Sequence, residues 1–282
     1  MIRKIKINGI WWILLAAVLW SVQGVLGKLN DWNPISLTGV RAVFAALVIG
    51  IYRKDFLPAQ GKGNWIAGVF VAFTGLLFLS ANNLTTSSNA IVIQYTMPVF
   101  VALISFVLFH SKISGNDIVC CIFMLLGVSL CFMNGFSGGR LLGNTLALLS
   151  ALTYAAVYIS ARVDGCDVLS YTYQGCLVCV VLLVYVFFDK SFVLDFQNFT
   201  SAAAMGILVG AGYVCFAKGF KENVSPVKAA LISYIEPILN PIWVAVFIGE
   251  DIAMPAFVGI VIVLVTTVIY SVKNSVSVNN ED

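Results

Sequence analysis

The chain has 282 residues, of which 60% are hydrophobic and 10% are charged, and its net charge is +3. A soluble domain carries about 25% charged residues, so there are too few polar side chains here to coat a globule of this size, and the class that remains is an integral membrane protein. The positive balance marks no nucleic-acid surface, because the cations sit in short loops rather than along one face.

A hydrocarbon core of roughly 30 Å takes about 20 apolar residues per helix. Ten stretches qualify as spans: 10–28, 35–52, 64–81, 88–109, 117–134, 142–160, 169–188, 201–220, 229–248 and 255–272. The first is long enough to cross and no small-residue cleavage site follows it, so no cleavable leader is expected. It carries Trp20, Gln23 and Gly27 on one helical face, and the second span carries Arg41. The third presents Thr74, Phe78 and Asn82; the fourth holds Gln94 and Tyr95 beside Pro98 and ends at His110. That histidine is the only one in the chain and has no cysteine or carboxylate near it in sequence, so no metal site is expected. The sixth span aligns Ser150, Tyr154 and Tyr158. Cys176 and Cys179, in the seventh, have redox-motif spacing but lie in an apolar helix, where cysteine behaves as a small hydrophobe. Gly206-x-x-x-Gly210 in the eighth permits close helix contact.

The ninth span is the richest. Ser233, Glu236, Asn240 and Trp243 follow spacings of 3, 4 and 3 and share one face. Tyr234, Pro237 and Pro241 lie in the same stretch. A proline removes a backbone bond and clashes with the carbonyl four residues back, so Pro98, Pro237 and Pro241 are expected to break their helices beside polar groups. The connections carry the turn formers, such as Asp31 through Pro34, Gly61 through Asn64 and Gly135 through Gly139. Trp11, Trp12, Trp32 and Trp65 stand at span ends and read as interfacial anchors. The residues after Lys273 read as a polar, frayed tail.

AIVIQYTMP at 90–98 returns as AALISYIEP at 229–237, with Ala90, Ile93, Tyr95 and Pro98 in step with Ala229, Ile232, Tyr234 and Pro237. Each copy sits in the fourth of five spans, and an odd number of crossings per copy inverts the second in the membrane. The expected architecture is therefore all-α, with ten transmembrane helices as two inverted five-helix repeats around a central cavity: 1–134, 135–272 and a tail at 273–282. With a cytoplasmic N-terminus, twelve lysines and arginines fall inside, three fall outside (Lys28, Arg140 and Lys190), and Arg41 is left within a span. The positive-inside rule places both termini in the cytoplasm.

A charge at bilayer depth costs at least ~2.5 kcal/mol on insertion scales, and Arg41 and Glu236 are the two that fall clearly inside spans. Either they face a polar cavity, or they pair with each other, or their stems reach the interface. By helix rise they sit about 10 Å apart along the membrane normal, which works against a direct pair. The copies differ here too, since Met97 stands where the second copy has Glu236. The mid-span tyrosines could line a cavity or simply pack.

LLAAVLWSVQGVLGK (14–28), SLTGVRAVFAAL (36–47), ANNLTTSSNAIVIQYTMP (81–98) and NVSPVKAALISYIEPILNPIWVAVFIGED (223–251) together resemble the EamA-type branch of the drug/metabolite transporter superfamily, over about residues 10–272. The second half keeps that family's Glu-Pro and Gly-Glu as Glu236-Pro237 and Gly249-Glu250, whereas the first half has His110-Ser111 in place of Gly-Glu. The resemblance implies a ten-helix fold with a central cavity, alternating access, and export of metabolites or amino acids across a plasma membrane, that of a bacterial inner membrane. On this reading the chain carries a small polar metabolite, an amino acid or amine, as an exporter or exchanger. Glu236 would face a cationic group or carry a coupling proton. Trp20, Tyr95, Tyr154, Tyr158, Tyr234 and Trp243 would form aromatic walls suited to cation–π contact, with Gln23, Arg41, Asn82, Gln94, Ser233 and Asn240 as further candidate contacts. A passive uniporter of the same cargo is the alternative. A membrane-embedded enzyme lacks paired carboxylates, a His-rich cluster or a Ser/Lys dyad, a structural role is the other remote reading, and no cofactor is implied.

Overall fold

A computed structural model describes residues 8–85, 87–131, 133, 141–249 and 254–279, and regular structure among them is helical throughout. In chain order the helices are α1 (Gly9–Ser21), α2 (Gln23–Lys28), α3 (Pro34–Arg53), α4 (Lys62–Leu84), α5 (Ser87–Gln94), α6 (Met97–Phe109) and α7 (Gly115–Cys131). They continue as α8 (Leu141–Ser160), α9 (Val168–Val180) with a 3-10 extension (Val181–Phe187), α10 (Phe196–Lys221), α11 (Pro226–Ile232), α12 (Ile235–Ile248) and α13 (Met254–Asn279). Asn33 with Pro34 starts α3, and Asp167, Asp195 and Ser225 each accept from a backbone N–H three residues on, the standard N-cap device.

Six segments are long and apolar enough to cross a membrane: Gly9–Gly27, Pro34–Arg53, Ala90–Phe109, Leu141–Ser160, Val168–Phe187 and Phe196–Lys221. Shorter apolar helices are Lys62–Phe78, Gly115–Leu130 and Phe257–Tyr270. The protein is thus a multi-pass membrane protein. Its packing is that of a bundle in lipid: Ala16, Ala45, Ala67, Ala151, Ala155 and Ala202 are buried between helices, while Phe73, Phe106, Leu148 and Phe257 face outward. Small residues let membrane helices approach closely where lipid offers no hydrophobic drive to pack.

Two expectations change. Trp32 is buried rather than anchored at an interface: its ring packs on Phe192 at 4.4 Å and its Nε1 donates to the Val193 carbonyl at 2.7 Å. The stretch read as a frayed tail begins inside α13, which runs on to Asn279, since no glycine or proline stands between Lys273 and Asn279 to stop it.

The helices pack in exchangeable pairs. α4 lies between α8 and α9, and α10 lies between α1 and α3. α5 and α6 pack on α8, as α12 packs on α1; α3 meets α9, and α7 meets α13. Swapping the first half for the second turns α4–α8 into α10–α1, α4–α9 into α10–α3 and α6–α8 into α12–α1, and turns α3–α9 and α7–α13 into themselves.

The loops repeat the relation. Asn64, at the start of α4, accepts the Asp167 N–H of the α8–α9 loop at 2.8 Å, and Asn198, at the start of α10, accepts the Asp31 N–H of the α2–α3 loop at 2.9 Å. Beside the second clasp, the Asp189 carboxylate receives Ser36 Oγ at 2.6 Å and the Asn33 N–H at 3.1 Å, together with the Ser191 hydroxyl and N–H. Burial raises the Asp189 carboxyl, but these hydrogen bonds outweigh it and hold the group below the ordinary aspartate range.

Candidate functional site

Both copies of the Tyr-x-x-Pro motif break their helix. In the first, α5 stops at Gln94 and α6 starts at Met97; in the second, α11 stops at Ile232 and α12 starts at Ile235. The backbone ladder tightens at each break. Thr96 N donates to Ile93 O and Val99 N to Thr96 O; correspondingly, Tyr234 N donates to Leu231 O and Glu236 N to Ser233 O. With Val99 N turned to Thr96, the Tyr95 carbonyl loses its usual partner four residues on. The Tyr234 hydroxyl, from the other half of the chain, donates to it at 2.7 Å. The freed acceptor of one break is therefore satisfied by the tyrosine of the other.

Around this crossing the structure gathers much of the predicted set. Tyr95 and Tyr234 meet at a tilt of 43° with ring centroids 5.9 Å apart, and Tyr154 and Tyr158 meet edge to face at 5.3 Å. The Tyr158 hydroxyl shares a 2.6 Å hydrogen bond with Ser233 Oγ. Tyr95 and Tyr154 face the Glu236 carboxylate. Its Oε2 is sealed from the surface and accepts no hydrogen bond among the described residues, while the residue as a whole keeps partial access. A carboxylate left with an unfilled acceptor away from water is costly when ionised.

The remaining predicted residues hold the walls. Gln94 Nε2 donates to Ser150 Oγ at 2.8 Å, and Ser150 donates on to the Thr74 carbonyl at 3.0 Å, tying α5, α8 and α4 together. Trp243 Nε1 donates to Ser21 Oγ at 2.8 Å, where α1 gives way to α2. Trp20 is buried against Tyr213 and Phe216, with its Nε1 directed at the Val209 carbonyl. Its ring occupies the hollow over Gly212, where a Cβ would come within 2.1 Å of Nε1.

Arg41 Nη1 donates to Gln23 Oε1 at 2.8 Å, and no ion pair joins Arg41 to Glu236 among the described residues. Tyr213, edge to face with Trp20 at 5.5 Å, is a mid-span tyrosine like the others that sequence reasoning passed over. Pro98 and Pro237 are buried just past the two breaks. The side chains of Asn82, Asn240 and Pro241 lie outside the described residues. Cys176 and Cys179 are free thiols in α9.

A cleft of about 300 Å3 lies away from Glu236, at the end of the molecule where the α6–α7 turn, the α8–α9 loop and the start of α11 meet. Lys112, Arg162 and Lys228 line it together with Asp117. Sequence reasoning used those three cations only to orient the chain; that they converge depends on contacts between distant segments. Among the described residues no group of three or more metal-ligating side chains comes together.

Residues 7–133 and 141–272 each match the EamA-like transporter family model. Among curated proteins, an uncharacterized transporter of Clostridium kluyveri is 26% identical over 93% of this chain and 92% of its own length. An uncharacterized transporter of Archaeoglobus fulgidus is 22% identical over 89% of this chain and 93% of its own. The human solute carrier family 35 member G1 is 28% identical over 56% of this chain and 48% of its own. A solved crystal structure shares the fold with a TM-score of 0.79 at 18% identity, covering 92% of this chain and 94% of that one.

Proposed function

Because the chain belongs to the EamA-like transporter family, we propose that it is a secondary-active carrier of a small polar metabolite, an amino acid or amine, acting as an exporter or exchanger by alternating access. Membership implies a membrane-embedded protein with a small-molecule substrate, and the relatives are named as transporters rather than enzymes.

The observation that carries the finer reading is Glu236. Its carboxylate stands at a helix break, faced by Tyr95 and Tyr154, with one oxygen that accepts no hydrogen bond among the described residues. Such a group suits the ammonium of a cargo or a coupling proton. The aromatic rings gathered beside it would suit a cation as well. Its counterpart Met97 cannot take either role, which makes the site chemically one-sided.

The architecture we infer is two inverted five-helix repeats. Three features support it: the family model matches the chain twice, the helix contacts survive exchange of the halves, and Asn64 and Asn198 clasp corresponding loops. The lysine and arginine bias supports a plasma-membrane protein with both termini cytoplasmic.

The cargo is to be found first, by screening amino acids, amines and nucleosides for thermal stabilisation of the purified protein, then measuring uptake of the hits into proteoliposomes. Glu236→Gln is expected to abolish flux driven by a proton gradient. A variant that transports like the wild type at every pH removes Glu236 from the mechanism. Wild-type counterflow that ignores an imposed pH gradient makes the protein a passive uniporter instead.

A further inference from the structure

The cleft at the α6–α7 turn is built around positive charge. Lys112, Arg162 and Lys228 line it against a single carboxylate, Asp117. Asp117 is already engaged: Tyr270 donates to its Oδ1, and the Ser114 N–H donates to its Oδ2 at 3.2 Å. Arg162 lies over the Phe109 ring at 5.0 Å and gives one N–H to Ser111 Oγ at 3.0 Å, so most of its five donors stay available. Neither Lys112 nor Lys228 has a carboxylate partner among the described residues. Among the described residues, the positive charge in the cleft therefore exceeds the negative.

A buried polar atom points to the same place. Ser160, Thr172 and Ser233 send their hydroxyls to the carbonyl four residues back, as helical Ser and Thr commonly do. Ser105 does not: it is 1% exposed, lines the cleft, and its Oγ has no hydrogen-bond partner among the described residues. Its own carbonyl, by contrast, is filled by the Ser111 N–H at the αL turn that ends α6. A donor left unfilled at the floor of a cationic cleft needs an acceptor.

We propose that this cleft is an oxyanion-binding vestibule, taking a carboxylate or phosphate group between Lys112, Arg162 and Lys228 with Ser105 beneath it. Its place in the cargo's path rests on the transporter reading above. Lys228 lies in α11 and Glu236 in α12, on opposite sides of the helix break, and Glu236 is not part of the cleft lining. A zwitterionic cargo would thus dock its anionic end in the vestibule first, and deliver its cationic end to Glu236 in a later step.

The test is thermal stabilisation of the purified protein by sodium phosphate and by sodium acetate, against sodium chloride at matched ionic strength. The wild type is expected to show a saturable rise with at least one oxyanion that chloride does not give. Lys112→Met and Lys228→Met should each weaken the apparent affinity about tenfold, the loss of one charge-assisted hydrogen bond. Lys228→Arg should retain most of the response and serves as the folding control, and Ser105→Ala should weaken it less than either methionine variant. Glu236→Gln should keep the full oxyanion response even where it has lost transport, so failure of the vestibule and failure of the carrier mechanism read out separately. No saturable rise in the wild type, or a rise untouched by both methionine variants, overturns the proposal. Repeating the titration in nanodiscs of phosphatidylglycerol and of phosphatidylcholine separates the sources of the anion. If only phosphatidylglycerol suppresses the free-oxyanion response, and the lysine variants relieve that suppression, the cleft holds a lipid headgroup and its role in the cargo path is wrong.

Discussion

Tyr234 shows how much one hydroxyl can decide. Its residue is fully buried, and its hydroxyl is the donor that the broken first-half helix lacks at the Tyr95 carbonyl. Tyr234→Phe preserves ring, volume and the contact with Tyr95 while stranding that carbonyl. A buried acceptor left unmade costs about 1–3 kcal/mol, so the variant should unfold measurably earlier in a detergent thermal scan. Tyr95→Phe leaves the same carbonyl satisfied and should cost the scaffold less, its effect falling on Glu236 instead. A Tyr234→Phe protein as stable as the wild type would show that the hydrogen bond across the halves does not matter. Trp20 gives the converse lesson. As a sequence it is a polar-tipped aromatic in a face with Gln23, while in the fold it fills the space over Gly212. Nothing local to Trp20 announces a glycine in the eighth span.

At the scale of elements, the helix breaks were readable because proline chemistry is local: Pro98 and Pro237 cost their own helices a bond, whatever the tertiary context. The ends of those helices agree as well, despite the sequences departing there. α6 closes on His110 and α12 on Gly249, both in the left-handed region with φ of 49° and 80°, so the first half keeps the cap geometry without the glycine. Gly206-x-x-x-Gly210 was legible only as a permissive pattern, since the motif does not say which helix it meets. It meets α3: a Cβ on Gly206 would stand 2.3 Å from the Arg41 carbonyl oxygen, and one on Gly210 would stand 2.8 Å from that of Ala45. Backbone cannot step aside as a side chain can. Gly206→Ala should therefore push α10 from α3 and cost about 1–3 kcal/mol, the range for overpacking. Gly27→Ala, where nothing lies within 4 Å of the added carbon, should be neutral or stabilise by about 0.4–1 kcal/mol. Thermal midpoints of the two variants against the wild type check the contrast. Equal shifts would mean that the α3–α10 approach is not tight.

Across the whole molecule, the doubled pattern of Tyr95-x-x-Pro98 and Tyr234-x-x-Pro237 was visible from the chain alone, whereas the clasps that repeat with it were not. Asn64 and Asn198 each sit at the start of a helix and look like ordinary polar turn residues. Their shared role depends on loops 103 and 167 residues away in the chain. If the halves are inverted copies, the two clasps lie on opposite faces of the membrane, although each joins the same pair of elements within its own scheme. That consequence can be measured without knowing the cargo. Asp31 and Asp164 are exposed in the two corresponding loops, and the clasp at Asp31 uses its backbone N–H rather than its carboxylate, so Asp31→Cys leaves it intact. In a background whose seven cysteines are replaced, a membrane-impermeant maleimide added to intact cells should label Asp31→Cys and spare Asp164→Cys. Inside-out vesicles should reverse the result. Labelling of both positions from one side would mean an even number of crossings between them, and the inverted arrangement would fall with the alternating-access reading built on it.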